Sequence, residues 1–274
     1  MGDSYTIITG GLGGLGSAFA VECAQRGMNL ILIDRYPDAD KMLAYLCDHY
    51  RVDVRYFSCN LTDEEGRRQL FETFKQEGFN FSGLVNVVGR EFEGPYMERT
   101  PDEVNTMLEL NLGVMLNLTL SVLKMRDVGG RFTLINIASL GGFFPMPNKA
   151  IYSSTKRFII NFTLALRREI SDFANVTVVC PGGLPTNPES MKKIFLQGFW
   201  GKMTALDTTT VVRRALNHAR RNKPIYIPGL ASKFLVWLSR ILPEAWVASF
   251  LSHRWKEKID ALEFWRITDQ QRRE

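Results

Sequence analysis

Tyr152 and Lys156 stand four residues apart in the stretch "AIYSSTKRFIINFTLALRREI". On a helix that spacing brings two side chains together, with Cβ atoms ~5–6 Å apart. Such a pair could move a proton. A phenol with the ordinary pKa of ~10 is a poor base at neutral pH. A cation within ~4–6 Å favours the phenolate and lowers that pKa. Taken alone, such a tyrosine is more often a packing residue and such a lysine a solvated surface charge. The reading therefore depends on what the rest of the chain brings beside it.

The surrounding pattern is a regular alternation. Apolar runs of strand length, "YTIIT", "NLILID", "DVRYFS", "GLVNVVG", "RFTLINIAS" and "NVTVVC", are separated by longer amphipathic stretches. The runs are continuously apolar, which suits parallel strands covered on both faces. Repeated strand–helix units predict an α/β fold with a Rossmann-type doubly wound parallel sheet. Thr62 and Glu65 have capping-box spacing ahead of "EEGRRQLFETFKQ". Thr100, Pro101 and Glu103 mark the start of a helix over "TPDEVNTMLELNLGVMLNLTLSVLKM".

The turn "ITGGLGGLGSAF" joins the first strand to the first helix. Gly10, Gly14 and Gly16 permit a tight turn and close approach of the backbone to a pyrophosphate at the helix N-terminus. Asp34 follows eighteen residues after Gly16, at the end of the second strand. An acid there can accept hydrogen bonds from an adenosine ribose. The turn thus predicts a dinucleotide site.

These features together resemble the short-chain dehydrogenase/reductase family over residues 4 to 230. "TGGLGGLG" is similar to that family's TGxxxGxG, "NVVG" at residues 86–89 to its NNAG, "YSSTK" to its YxxxK and "PGGLPT" to its PGxxxT. Asn111 and Ser139 fall at the family's positions. The middle valines of "NVVG", and Asn60 where an aspartate often contacts adenine, depart from the pattern. The resemblance implies a catalytic set of Asn111, Ser139, Tyr152 and Lys156. Tyr152 would exchange the hydroxyl proton, Lys156 would reach the nicotinamide ribose, Ser139 would bond the substrate oxygen, and the backbone of Asn111 would hold a water near the lysine. It implies cofactor contacts at Gly10, Gly14, Leu15, Gly16, Asp34, Arg35, Asn60, Leu61, Asn86, Gly89, Pro181, Gly182 and Thr186, together with Tyr152 and Lys156. No metal is required. Asp34 favours NAD(H), because a 2′-phosphate would face a like charge. A basic residue at the position of Arg35 often serves that phosphate in relatives that use NADP(H), so NADP(H) stays open.

On the substrate side, Phe143, Phe144, Phe199 and Trp200 predict an apolar region suited to a steroid-like or acyl-chain alcohol or ketone. "FLVWL" and "WVASFL" predict two amphipathic helices broken at Pro243, too short and interrupted to span a bilayer. A substrate lid or a subunit contact in a homo-oligomer is favoured for them, and contact with an anionic membrane surface stays open. This ending and "GGFFPMP" resemble the branch with long-chain 3-ketoacyl-CoA reductases and type 12-like 17β-hydroxysteroid dehydrogenases. Residues 1–230 are thus expected to form the catalytic part of a single domain and 231–274 its helical extension.

The bulk numbers narrow the alternatives. Cys23, Cys47, Cys59 and Cys180 are scattered and the three histidines lie far apart, which argues against disulfides and metal sites. The start has neither a basic nor an apolar leader segment, so a cytoplasmic protein is expected. The net charge of +5 is uneven: residues 213–274 carry 13 Lys/Arg against 6 Asp/Glu, a net of +7, and the remainder carries 21 against 23, a net of −2. Those basic residues alternate with Trp, Phe and Leu, which looks like amphipathic packing, and nucleic-acid binding is not expected. A non-catalytic, NAD-bound regulatory protein that kept the fold is the alternative to an oxidoreductase.

Overall fold

The computed structural model describes residues 4–186, 190–191 and 203–253. They form a seven-stranded parallel sheet in the order β3-β2-β1-β4-β5-β6-β7. The strands are β1 (Ser4–Thr9), β2 (Asn29–Asp34), β3 (Val54–Ser58), β4 (Asn80–Asn86), β5 (Phe132–Ile137), β6 (Ala174–Val179) and β7 (Ile225–Tyr226). The order reverses between β1 and β4. Their C-terminal ends part there, at the switch point where open α/β sheets bind ligands.

Both faces of the sheet are covered, as the unbroken apolar strands predict. On one face Phe19, Ala20 and Cys23 of α1 (Gly14–Gln25) and Val212, Ala215 and Ala219 of α7 (Thr208–Arg220) pack on Ile8, Leu30 and Leu32. On the other, Leu70 and Phe74 of α3 (Glu64–Gln76) and Leu118 and Val122 of α5 (Val114–Lys124) pack on Ile7, Ile31 and Leu84. Phe74 is fully buried, and its removal to alanine would cost ~3–5 kcal/mol. Between these lie α2 (Asp40–His49), α4 (Pro101–Leu108) and α6 (Ala150–Glu169), with Ile159 and Ile160 of α6 packed beside Met115 and Val178.

The helix start at Thr100 has the predicted reciprocal cap: Glu103 N–H donates to Thr100 Oγ1 at 3.2 Å, and Thr100 N–H donates to the Glu103 carboxylate at 3.1 Å. The other predicted cap is displaced by one residue. α3 is capped by Asp63, which accepts the Glu65 N–H at 3.2 Å, because the Thr62 hydroxyl instead donates to Asn60 Oδ1 at 2.9 Å. The long helix over residues 101–124 is not uniform either: a π-helical turn, Glu109–Gly113, separates α4 from α5. This helix is apolar enough by composition to cross a bilayer, yet its buried residues, Met107, Val114, Leu118 and Val122 among them, belong to the core.

The C-terminal segment forms two helices, α8 (Leu230–Ser239) and α9 (244–253), with Pro243 between them. α8 packs against the 3-10 turn Leu140–Phe143.

Candidate active site

The glycine turn is built by close backbone approach. Gly10 takes a left-handed φ of 65°, which glycine adopts without a steric penalty. Its N–H donates to Ile33 O at 2.8 Å, tying the turn to β2. A Cβ on Gly16 would lie 1.9 Å from Gly10 O, and one on Gly14 would lie 2.4 Å from Thr186 O. Gly13, the N-cap of α1, offers no side-chain acceptor to the first-turn N–H groups. An anion at this helix end, beside Leu15, would meet those donors and the positive end of the helix dipole. The chain therefore fits a phosphate here.

Asp34 ends β2 against this turn. Its two carboxylate oxygens accept the N–H of Leu12 at 3.0 Å and of Arg35 at 2.8 Å. Each oxygen keeps a second lone pair. Arg35 is exposed, its guanidinium 5.3 Å from the centre of the Tyr36 ring. Asn60 lies at the adjacent strand end, where Cys59 N–H donates to Asp34 O at 2.7 Å. Leu61 buries its side chain in the core with Phe74.

The segment after β4 is held by two polar side chains. Thr9 Oγ1 accepts the N–H groups of Val87 at 2.9 Å and Val88 at 3.2 Å. Asn111, buried within the π turn, accepts Arg90 N–H at 2.7 Å and donates to Arg90 O and Thr155 Oγ1, each at 3.0 Å. A π turn aims a side chain differently from a regular helix. Gly89 sits so close that a Cβ would be 3.0 Å from Asn111 Oδ1 and 3.4 Å from Lys156 Nζ. The Asn86 side chain is engaged within the sheet, which leaves its backbone for any cofactor contact. Its Nδ2 donates inward, to Thr119 Oγ1 at 3.0 Å and Asn136 Oδ1 at 2.8 Å, because a polar group on this central strand needs partners within the sheet.

Ser139, Tyr152 and Lys156 meet beside this segment. Ser139 follows β5 and caps the 3-10 turn, its Oγ accepting Gly141 N–H at 3.1 Å. Lys156 is buried and its Nζ donates to Ile137 O at 3.0 Å, 5.7 Å from the centre of the Tyr152 ring. Burial lowers its pKa to about 8, against an upward pull from Glu91. The expectation that Lys156 lowers the Tyr152 pKa is not met in this structure. Burial, and then the charge of Glu91, push the phenol above its ordinary value, while a hydrogen bond with Ser139 acts in the opposite direction. The ammonium lies by the ring and is tied to a carbonyl, so its relief of the phenolate does not offset desolvation.

Glu91 is one of three charged residues here that the sequence reading missed. Lys149, buried at the N-cap of α6, donates to the Glu91 carboxylate and pairs with Glu93 at 3.2 Å. Gly94 N–H also donates to Asn148 O at 2.8 Å. The segment after Gly89 is thus latched to the turn of helix that carries Tyr152. The acids of "REFE" were a weak signal, since their shared partner Lys149 is distant in sequence, 58 residues from Glu91.

The remaining predicted positions lie after β6. Leu140 N–H donates to Pro181 O at 2.8 Å, joining this loop to the Ser139 turn. A Cβ on Gly182 would lie 2.7 Å from Thr204 O. Thr186 rests on Gly14, its N–H donating to Ser190 Oγ at 2.9 Å. The loop therefore reaches from the glycine turn to the serine turn. Phe143 packs in part on the Met115–Ile160 cluster, and Phe144 is partly buried. Phe199 and Trp200 lie outside the described residues.

Comparison with known proteins bears on the family and the fold. The model of the short chain dehydrogenase family matches residues 4–194. Very-long-chain 3-oxoacyl-CoA reductase of Bos taurus is 31% identical over 172 residues, covering 60% of this chain and 54% of that one. The chain thus matches about half the length of such curated relatives. In fold it is similar to a 7beta-hydroxysteroid dehydrogenase (TM-score 0.78, 18% identity, 91% of this chain and 96% of that one). It is also similar to a short-chain dehydrogenase from Sphingobium yanoikuyae in complex with NADPH (TM-score 0.72, 24% identity, 85% and 92%).

Proposed function

This chain belongs to the short-chain dehydrogenase family, and on that footing we propose that it is an NAD(H)-dependent oxidoreductase that interconverts a secondary alcohol and a ketone on an apolar, steroid-like or acyl-chain substrate. One observation carries the reading. Ser139 and Tyr152 flank Gly141, where an added Cβ would lie 3.5 Å from Ser139 Oγ and 3.8 Å from Tyr152 Cε1, and the Lys156 ammonium is 5.7 Å from the same ring. A merely solvated lysine would not be buried beside a partly exposed tyrosine and serine at the end of a central strand.

When bound, the nicotinamide supplies or accepts the hydride. The Gly10–Gly16 turn would hold its pyrophosphate, Asp34 its adenosine ribose, and Gly89, Pro181, Gly182 and Thr186 the remainder. Tyr152 exchanges the proton of the substrate oxygen. With its pKa raised, the phenol stays protonated at neutral pH and is ready to donate to a ketone oxygen. Ser139 donates to that oxygen as charge develops on it. Lys156, whose pKa is lowered to about 8, can pass a proton onward near neutral pH. Asn111 keeps Gly89 and Arg90 against the lysine. The name of the bovine relative, a 3-oxoacyl-CoA reductase, and the partly buried Phe143 and Phe144 support an apolar substrate.

The test is a panel of ketones and secondary alcohols read by NADH absorbance, followed by Tyr152→Phe on any substrate found. Turnover should fall ~10²–10⁴-fold, with cofactor affinity, read by fluorescence titration, nearly unchanged. Turnover at the wild-type level in Tyr152→Phe would refute the assignment.

A further inference from the structure

α8 carries apolar residues on two opposite sides. Ser232 and Val236 face inward and are buried. Leu230, Phe234, Trp237 and, past the helix end, Ile241 recur at the spacing of a single helical stripe, and each is more than half exposed, from 56% for Trp237 to 84% for Leu230. α9 continues this with Trp246 and Phe250, four apart and also more than half exposed. Phe234 and Trp237 stack on each other at 5.9 Å. Exposed large apolar side chains in so regular a row mark a surface that meets something apolar.

Charge indicates what that is. Lys233 and Arg240, both exposed and seven residues apart, share one flank of the stripe. Between residues 230 and 253 the only acid in the sequence is Glu244. A second copy would bring the same cationic flank, with little to oppose it. We propose that the outward faces of α8 and α9 dock on an anionic lipid surface, with the Trp and Phe rings at the headgroup boundary and Lys233 and Arg240 against the lipid charge. Because α8 packs on the 3-10 turn that follows Ser139, docking would bring the site beside the lipid. The inference rests on the surface alone and stands whether or not the proposed chemistry does.

The experiment is flotation of the full chain with vesicles of phosphatidylcholine alone and with added phosphatidylserine, alongside solution mass by light scattering. The wild type should float with the anionic vesicles and bind neutral ones at least ~tenfold less. Trp237→Ser with Trp246→Ser, and separately Lys233→Glu with Arg240→Glu, should each lower anionic-vesicle binding at least ~tenfold without changing the mass. All four positions are exposed, so both variants keep the core. Absence of flotation, or variants that bind like the wild type, would overturn the proposal. So would a wild-type dimer that the tryptophan variant splits, which would assign the face to a second copy.

Discussion

Glu91 accepts a hydrogen bond from Lys149 while its charge raises the pKa of both Tyr152 and Lys156. One carboxylate therefore fastens the segment after β4 to α6 and biases the proton-transferring pair. Glu91→Gln removes the bias and leaves Lys149 its pairing with Glu93. Both pKa values then fall. In the alcohol-oxidising direction, which needs the phenolate, the rising limb of kcat/KM against pH should move to lower pH. In the ketone-reducing direction the falling limb should move the same way. Unmoved limbs in both directions would mean that Glu91 is purely a latch.

Asp34 bears on the choice of cofactor. Its carboxylate is fixed by the N–H groups of Leu12 and Arg35, so it cannot swing away from a 2′-phosphate. The wild type is expected to prefer NADH over NADPH in kcat/KM. Asp34→Ser removes the like charge and leaves exposed Arg35 to meet the phosphate, so the preference should relax by at least ~tenfold. A wild-type preference for NADPH would show that Asp34 is not the selector.

Lys156 should reduce stability while serving chemistry. Its pKa is lowered to about 8 in the native protein, whereas in the unfolded chain it stays near ~10.4. Between these values the unfolded state binds more protons, so stability rises with pH across that window. Tyr152, with its raised pKa, acts in the opposite direction only above pH ~10. Lys156→Met should abolish turnover, raise stability at neutral pH by about 1–2 kcal/mol after the lost bond to Ile137 O, and flatten the rise from pH ~8 to ~10. Urea unfolding across that range reads the result.

Gly14 and Gly16 should separate when each is changed to alanine. At Gly16 the added carbon meets the backbone of the same turn, at 1.9 Å from Gly10 O. At Gly14 it meets Thr186, at 2.4 Å from Thr186 O, in the loop after β6 and not in the turn itself. Gly16→Ala is therefore expected to lower the melting temperature and cofactor affinity together. Gly14→Ala should weaken cofactor binding ~tenfold or more at nearly unchanged melting temperature, a gap between the loop and the turn being enough to misplace contacts.

Local signals carried most of this site. Tyr152 and Lys156, the glycine turn and the Thr100 cap are matters of spacing within one or two turns of chain, and such spacing can be read directly. The Asp63 cap was missed by one residue because Thr62 and Asp63 are both competent caps and only the folded turn at Asn60 decides between them. Asn86 was assigned from its motif alone; that its amide turns into the sheet depends on Thr119 and Asn136, distant in sequence. Lys149 with Glu91 and Glu93 left no periodic trace for the same reason. The raised pKa of Tyr152 was beyond reach because burial, which governs it, is a property of the assembled layers.

The π turn at Glu109–Gly113 has a meaning for how such a site could arise or vanish. A π turn is a helix with one residue too many. Removing a single residue there would restore an ordinary helix, with α4 and α5 on their original faces and Val114, Leu118 and Val122 still against the sheet. Only the offset that aims Asn111 at Arg90 and Thr155 would disappear. The scaffold and the buried amide are thus separable by one codon, and a lineage could shed the second while inheriting the first intact.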